Sequence, residues 1–193
     1  GIASPVIEYL ELKKLRLSAI LNTHHHADHT GGNKELLQSY AVPVYGPRNE
    51  FILSMTHPVS EGDQINLQEI SLNLAVLDTP GHTRGHIAYF ASNPINIVFC
   101  GDTLFSCGCG RIFEGTPQQM YQSLQKLSQL PDDTLIYCAH EYTLNNILFA
   151  KIVDPENVEL IEREITAQKL RHKNIPTLPT TLFFEKKTNP FLR

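Results

Sequence analysis

The feature that most constrains this chain is a run of seven residues with five possible transition-metal ligands, Thr23-His24-His25-His26-Ala27-Asp28-His29. The run follows a short apolar segment at 17–21 that is typical of a buried strand. It precedes a Gly-Gly pair and a predicted helix at 32–38. Ligand side chains between the end of a strand and the start of a helix indicate a binding site rather than a core element.

The spacing inside this run divides its ligands into two pairs. His24 and His26 are two residues apart, so their side chains point the same way in an extended chain and can share one ion. Asp28 and His29 follow the point where the chain turns, so they can face a second ion. Imidazole suits zinc and iron, and a carboxylate can bridge two cations.

Three more candidate ligands each follow a predicted strand: His82, Asp102 and His140. Each of these features has an ordinary structural interpretation when it is considered alone. A run of histidines would be an exposed polar loop, His82 or His140 would be a structural histidine, and Asp102 would be a turn residue. Their joint occurrence at strand ends favours a metal site. The other four histidines are placed outside the ligand set: His25, His57, His86 and His172. Of these, His86 could orient a metal ligand by a hydrogen bond without binding the ion itself.

The periodicity of apolar residues predicts a mixed β/α domain followed by a helical appendage. Strands are predicted at 17–21, 42–45, 86–90, 95–100 and 134–138, with a hairpin over 61–77. Helices are predicted at 5–14, 32–38, 47–53, 117–130 and 155–173. We expect a loop at 106–115, no strand after residue 141 and a loose tail. The predicted domains are therefore 1–140 and 141–193.

Composition excludes several classes of protein. The chain is 41% apolar and 19% charged, with a net charge of −4, so it lacks the basic surface of a nucleic-acid-binding protein. No apolar run approaches the length of a membrane span, and no signal peptide is evident. The four cysteines form no CxxC pair. We expect a reduced, cytoplasmic monomer that binds neither membrane nor nucleic acid.

Several stretches resemble a known superfamily. The His24 run, Thr79-Pro80-Gly81-His82, Gly101-Asp102 and His140 are similar to the motifs of the metallo-β-lactamase superfamily. The segments at 108–116 and 138–145 are similar to those of glyoxalase II, the hydroxyacylglutathione hydrolase family. The resemblance implies an α+β fold, a four-layer αββα sandwich of metallo-β-lactamase type with a C-terminal helical appendage.

The resemblance also implies which residues bind which ion. One ion would be bound by three histidines, His24, His26 and His82. The other would be bound by Asp28, His29 and His140, and Asp102 would bridge the two ions. Two divalent ions are expected, with zinc as the first choice and iron or manganese as alternatives. The two carboxylates, Asp28 and Asp102, are the expected catalytic residues.

The reaction implied by the resemblance is hydrolysis of the thioester S-D-lactoylglutathione to D-lactate and glutathione. A metal-bound hydroxide would be the nucleophile, in keeping with the absence of a GxSxG serine motif. Arg111, Phe113 and Tyr142 stand where the family binds glutathione, although relatives carry tyrosine at the position of Phe113.

Two other functions remain open. A mononuclear iron persulfide dioxygenase of the same superfamily would use only one ion. A non-catalytic metal-binding fragment is the alternative outside enzymes, because Gly1 follows the family's first strands and Arg193 precedes its C-terminal end. On this reading, a sheet edge is exposed and 141–193 is a truncated, helical substrate-binding region.

Overall fold

Two β-sheets form the centre of the computed structural model, which describes all residues from 1 to 193. The smaller sheet is parallel, in the order β1-β2-β3; its strands are β1 (Ile20–Leu21), β2 (Val44–Pro47) and β3 (His57–Val59). The larger sheet is mixed. Its strands are β4 (Gln64–Leu67), β5 (Leu72–Asp78), β6 (Ile87–Ala91), β7 (Ile97–Gly101), β10 (Leu135–Cys138) and β11 (Thr180–Thr181).

The strand order of the larger sheet is β11-β10-β7-β6-β5-β4. Because β5 and β7 are both antiparallel to β6, and β10 is parallel to β7, three strands run in the same direction. Their carboxyl ends therefore meet at one edge of the sheet. A separate hairpin is formed by β8 (Leu104–Phe105) and β9 (Gly108–Cys109).

Seven helices accompany the sheets. Those of the first 140 residues are α1 (Ser4–Lys13), α2 (Ala27–Thr30), α3 (Asn33–Ser39) and α4 (Pro117–Ser128). The remaining three are α5 (Thr143–Val153), α6 (Val158–His172) and α7 (Leu182–Thr188). The start of α4 is a capping box, in which Thr116 accepts from the Gln119 amide and the Gln119 side chain accepts from the Thr116 amide. No helix is long and apolar enough to cross a membrane.

The alternation of side chains along β5 and β6 builds two cores. Tyr89 faces the smaller sheet, in a buried cluster with Val76 of β5 and Val59 of β3. Ala88 faces the other way, in a second cluster with Met120 and the other apolar residues of α4. The two sheets thus pack face to face, and α4 covers the outer face of the larger one.

The outer face of the smaller sheet is covered as well. Val44 of β2 is completely buried on the face opposite Tyr45. At the start of α3, the side-chain Nδ2 of Asn33 donates to Oδ1 of Asn22, 2.7 Å away and just after β1. The layers are therefore helix, sheet, sheet and helix, which confirms the predicted α+β sandwich.

Some local predictions were wrong. No helix forms at 47–53, because the Arg48 amide donates instead to the Val59 carbonyl of β3 and the chain then turns at Glu50. The 106–115 loop contains β9, and β3 was not predicted. Helix α6 begins at Val158 rather than 155, since Asn157 caps it by accepting from the Leu160 amide.

The tail after residue 176 is neither loose nor free of strands. Strand β11 pairs antiparallel with β10, with Thr181 opposite Leu135. Helix α7 follows at once, and its Glu185 carboxylate accepts from the Cys107 amide at 2.7 Å. Long-range pairing decides both elements, which is why local periodicity did not indicate them.

Candidate metal centre

The seven predicted ligands come together at the carboxyl-end edge of the sheets. The chain is extended at His26 and turns into α2 at Ala27, which separates the directions of the first two ligands from those of Asp28 and His29. The other three ligands follow strands that run in the same direction: His82 after β5, Asp102 after β7 and His140 after β10. The predicted turn between the two pairs is therefore present.

Three imidazole nitrogens form the first group. The Nδ1 atom of His26 lies 3.1 Å from His24 Nε2 and 3.0 Å from His82 Nε2. Nitrogens at these separations can share one ion that lies about 2 Å from each of them. Burial lowers the pKa of His24 and of His82, so both imidazoles are held in the neutral form that binds metal.

The second group contains one carboxylate and two imidazoles. The Oδ2 atom of Asp28 lies 3.4 Å from His29 Nε2 and 3.5 Å from His140 Nε2. Burial lowers the pKa of His29 as well, although the neighbouring carboxylates oppose the shift.

Asp102 lies between the two groups. Its Oδ1 is 3.3 Å from His29 Nε2, and its Oδ2 is 3.4 Å from His140 Nε2 and 3.5 Å from His82 Nε2. Its carboxylate thus contacts both groups, which is the arrangement expected of a bridging ligand.

Two buried atoms of the cluster, His29 Nε2 and Asp102 Oδ1, make no hydrogen bond, although they lie 3.3 Å apart. A buried polar atom without a partner costs about 1–3 kcal/mol. Divalent cations would satisfy both atoms and would balance the charge of the carboxylates. The residues present therefore fit a metal centre.

Hydrogen bonds behind the ligands orient them. The Nδ1 of His82 donates to the Arg111 carbonyl, 2.7 Å away, which leaves Nε2 with its lone pair for an ion. His86 is completely buried, and burial holds its pKa well below the usual value. Its Nε2 accepts from the Asp102 amide at 3.1 Å, while its Nδ1 lies 2.9 Å from the Thr79 hydroxyl.

Two glycines allow the chain to approach Asp102 closely. Gly101 has a φ of +50°, and a Cβ there would lie 2.7 Å from His86 Nε2. At Gly110 a Cβ would lie 1.7 Å from the Asp102 carbonyl oxygen. The glycines in both sequence motifs are therefore required by the backbone packing around this carboxylate.

The three predicted substrate residues surround the cluster. The Phe113 ring is exposed, and its centroid lies 5.2 Å from that of His82 and 5.7 Å from that of His26. The Arg111 guanidinium is 5.7 Å from the Phe113 ring. On the other side, the half-exposed Tyr142 ring stacks on His140 at 5.0 Å.

The sequence did not reveal the role of Glu50. Its carboxylate accepts from the amide and the ring of His25, and it also bonds to Thr83 and Gly85. His25 comes within metal-binding distance of His26 and Glu114, but its ring is already paired with Glu50 and Glu114. Glu50 lies in the segment predicted as a helix, so no local signal marked it.

Comparisons with known proteins match the whole chain. The model of the metallo-β-lactamase superfamily matches residues 1–140, and that of the hydroxyacylglutathione hydrolase C-terminus matches 141–193. The hydroxyacylglutathione hydrolase of Nitrosomonas eutropha is 58% identical over 193 residues, which are 100% of this chain and 74% of the relative. That of Methylobacillus flagellatus is 49% identical over 100% of this chain and 76% of the relative. The chain belongs to the hydroxyacylglutathione hydrolase family.

Solved structures share the fold of this hydroxyacylglutathione hydrolase family member. ETHE1 from Myxococcus xanthus superposes with a TM-score of 0.72 at 28% identity, over 98% of this chain and 70% of that one. The BLEG-1 B3 metallo-β-lactamase has a TM-score of 0.70 at 22% identity, over 100% of this chain and 85% of that one. The family and fold predicted from the sequence are thereby confirmed, and the superfamily and the His/Asp cluster together indicate divalent metal binding.

Proposed function

We propose that this chain hydrolyses the thioester S-D-lactoylglutathione to D-lactate and glutathione. The observation that carries the proposal is the identity of 58% over the entire chain with a protein named hydroxyacylglutathione hydrolase. The metal cluster supports it, because two adjoining ligand groups that share Asp102 suit hydrolysis without a side-chain nucleophile.

The proposed centre holds two divalent ions. The first would be held by His24, His26 and His82, the second by Asp28, His29 and His140, and both by Asp102. Nitrogen and oxygen ligands of this kind suit zinc best and also accept iron or manganese. When bound, the ions supply a water with a pKa lowered to about 7 and a positive field at the carbonyl oxygen.

The chain's own residues adjust the charge of this centre. Asp28 and Asp102 together contribute two negative charges, which only partly offset two dications. The site therefore stays net positive and favours the negative charge that develops on the thioester oxygen. Asp102 is held in place for this role by its backbone bond to His86.

Substrate recognition is assigned to the rim of the cluster. Glutathione is anionic, and the exposed Arg111 offers a cation beside the exposed Phe113 ring. Tyr142 lies at the start of residues 141–193, which we propose as a helical substrate-binding region distinct from the metal-binding domain at 1–140. Its half-exposed ring supports contact with the substrate from the His140 side.

A reduced cytoplasmic location and a monomeric state complete the proposal. All four cysteines are free, and burial raises the pKa of Cys107 and Cys109 to about 11. Such thiols remain protonated and poorly reactive at neutral pH. Light scattering on the purified chain tests the monomer, and a dimer mass would contradict it.

The alternatives are less well supported. A mononuclear iron dioxygenase would leave the group of Asp28, His29 and His140 without a second ion to bind. The relatives from Nitrosomonas eutropha and Methylobacillus flagellatus, at 58% and 49% identity, are both named hydroxyacylglutathione hydrolase. A non-catalytic fragment is distinguished by activity alone.

The decisive experiment measures thiol release from S-D-lactoylglutathione and metal content on the same sample. We expect about two metal equivalents per chain and steady thiol release that stops after chelation. One iron per chain without thiol release would contradict the binuclear hydrolase. Two equivalents without thiol release would identify a non-catalytic metal-binding chain.

A further inference from the structure

Glu50 is a buried acid with an unusually complete set of partners for a residue outside the ligand cluster. Only 4% of its side chain is exposed. Both carboxylate oxygens accept two hydrogen bonds each, from two different loops of the metal centre. A buried carboxylate is stable only when it is satisfied in this way.

One oxygen binds the loop that carries the first two ligands. Glu50 Oε2 accepts from the His25 amide at 2.6 Å and from His25 Nδ1 at 2.9 Å. His25 lies between His24 and His26 in the chain. Its backbone position therefore determines where both neighbouring imidazoles point.

The other oxygen binds the loop that carries the third ligand. Glu50 Oε1 accepts from the Gly85 amide at 3.0 Å and from the Thr83 hydroxyl. Thr83 is completely buried and directly follows His82. A Cβ at Gly85 would lie 2.6 Å from Glu50 Cγ, so the loop packs directly on this side chain.

A third loop joins the same arrangement. The Nε2 atom of His25 lies 3.2 Å from Glu114 Oε1, and Glu114 Oε2 accepts from the Arg84 amide at 3.1 Å. The segment that carries Arg111 and Phe113 is thereby tied to the other two loops. His25, which binds no proposed ion, is the residue through which the carboxylates act.

We propose that Glu50 is a positioning residue, whose carboxylate holds the His24–His26 loop and the His82 loop at the separation needed to share one ion. The inference rests on the metal centre proposed above. It concerns only the three-histidine group, because none of the Glu50 contacts reaches Asp28, His29 or His140.

The test measures zinc affinity at the three-histidine group alone. All variants are made in a His140→Ala background, called the parent, in which metal binding by the group of Asp28, His29 and His140 is weakened. Competition for Zn²⁺ with a chromophoric chelator then reports mainly on the three-histidine group. We expect Glu50→Gln in this parent to bind Zn²⁺ about 10–100-fold more weakly, the range found when residues that orient metal ligands are changed. The amide of glutamine would face hydrogen-bond donors with a donor of its own.

Two controls separate positioning from general stability. Glu185→Gln changes another buried carboxylate with four donors, none of which belongs to the His24–His26 loop or the His82 loop. It should lower the melting temperature while zinc affinity stays within a factor of about 3 of the parent. Thr83→Val removes one hydroxyl donor to Glu50 and should give a smaller loss of affinity in the same direction, even if Glu50→Gln does not fold.

The outcomes are distinct. Weaker zinc binding in Glu50→Gln and Thr83→Val, but not in Glu185→Gln, supports the inference. Unchanged affinity in both, or an equal loss in Glu185→Gln, overturns it while leaving the metal centre intact. Absence of zinc binding by the His140→Ala parent and by the unmodified chain would overturn the metal centre itself, and the inference with it.

Discussion

The Tyr142 ring stacks on the His140 ring, with centroids 5.0 Å apart and planes 15° apart. Phe105 of β8 closes the contact from the side, with its centroid 5.4 Å from that of Tyr142. Tyr142 precedes α5, so the first residues of the C-terminal region form part of the wall of the second ligand group. This region therefore contributes to the metal centre as well as to the proposed substrate surface.

Replacing Tyr142 separates these two contributions. Tyr142→Ala removes an aromatic contact worth about 0.5–1.5 kcal/mol. We therefore expect the affinity for the second metal ion to fall about 2–10-fold and KM for the substrate to rise. Tyr142→Phe keeps the aromatic ring, so its metal affinity should equal that of the unmodified chain. Zinc titration and steady-state kinetics measure both effects. If Tyr142→Ala changed neither quantity, the stack would have no functional role.

Asp102→Asn tests the bridge between the two groups. The amide lacks the negative charge and offers only one acceptor atom. We expect the chain to retain about one metal equivalent and to lose about two orders of magnitude in turnover or more. Asp132→Asn is the matched control, because that side chain is exposed and paired only with Lys186. Near-normal turnover of Asp102→Asn would refute the bridging role.

The stability of the metal-free protein should depend on pH. Burial is the chief cause of a lowered pKa at four histidines, His24, His29, His82 and His86. Below a pH of about 6.5 the unfolded chain binds protons that the folded chain does not, so the free energy of unfolding falls as the pH falls. The slope is up to about 1.4 kcal/mol per pH unit for each histidine.

Urea unfolding of the chelated protein between about pH 7.5 and 5.5 measures this slope. His86→Gln removes one of the four buried imidazoles. The dependence of the unfolding free energy on pH should then become shallower by up to about 1.4 kcal/mol per pH unit, which corresponds to one proton. A free energy of unfolding that stays constant over this range would show that these imidazoles are not buried as described.

Glu185→Ala should destabilise the fold strongly. The carboxylate is completely buried and accepts from the Cys107 amide, Ser106, Thr180 and Asn189. Its removal leaves several buried donors unpaired, at a cost of about 3–5 kcal/mol. Urea unfolding at neutral pH measures the change. Glu159→Ala removes an exposed partner of Lys187 and should cost less than about 1 kcal/mol; an equal effect of both would contradict the account.

Much of the site was predictable from local patterns. The two-residue spacing of His24 and His26, and the positions of His82, Asp102 and His140 after predicted strands, indicate that these side chains form one cluster. Strand periodicity and the parallel course of β5, β7 and β10 bring the ends of those strands to one edge. Helix α4 was also predictable from local patterns, because its N-terminal cap and its apolar face both lie in one continuous segment of the sequence. The assignment of individual ligands to two ions stays a prediction.

Other features were decided only by the tertiary structure. Glu50 bonds to Thr83 across 33 residues, and Glu185 bonds to Cys107 across 78. Such contacts leave no periodic signal, because each partner is an ordinary polar residue in its own segment. The same reason explains the missed strand β11, whose pairing with β10 is non-local. By itself the sequence determined the family and indicated the candidate ligands, because these depend on residue type and short spacing. The tertiary structure decided which side chains hold the candidate ligands in place, because that depends on segments far apart in the chain.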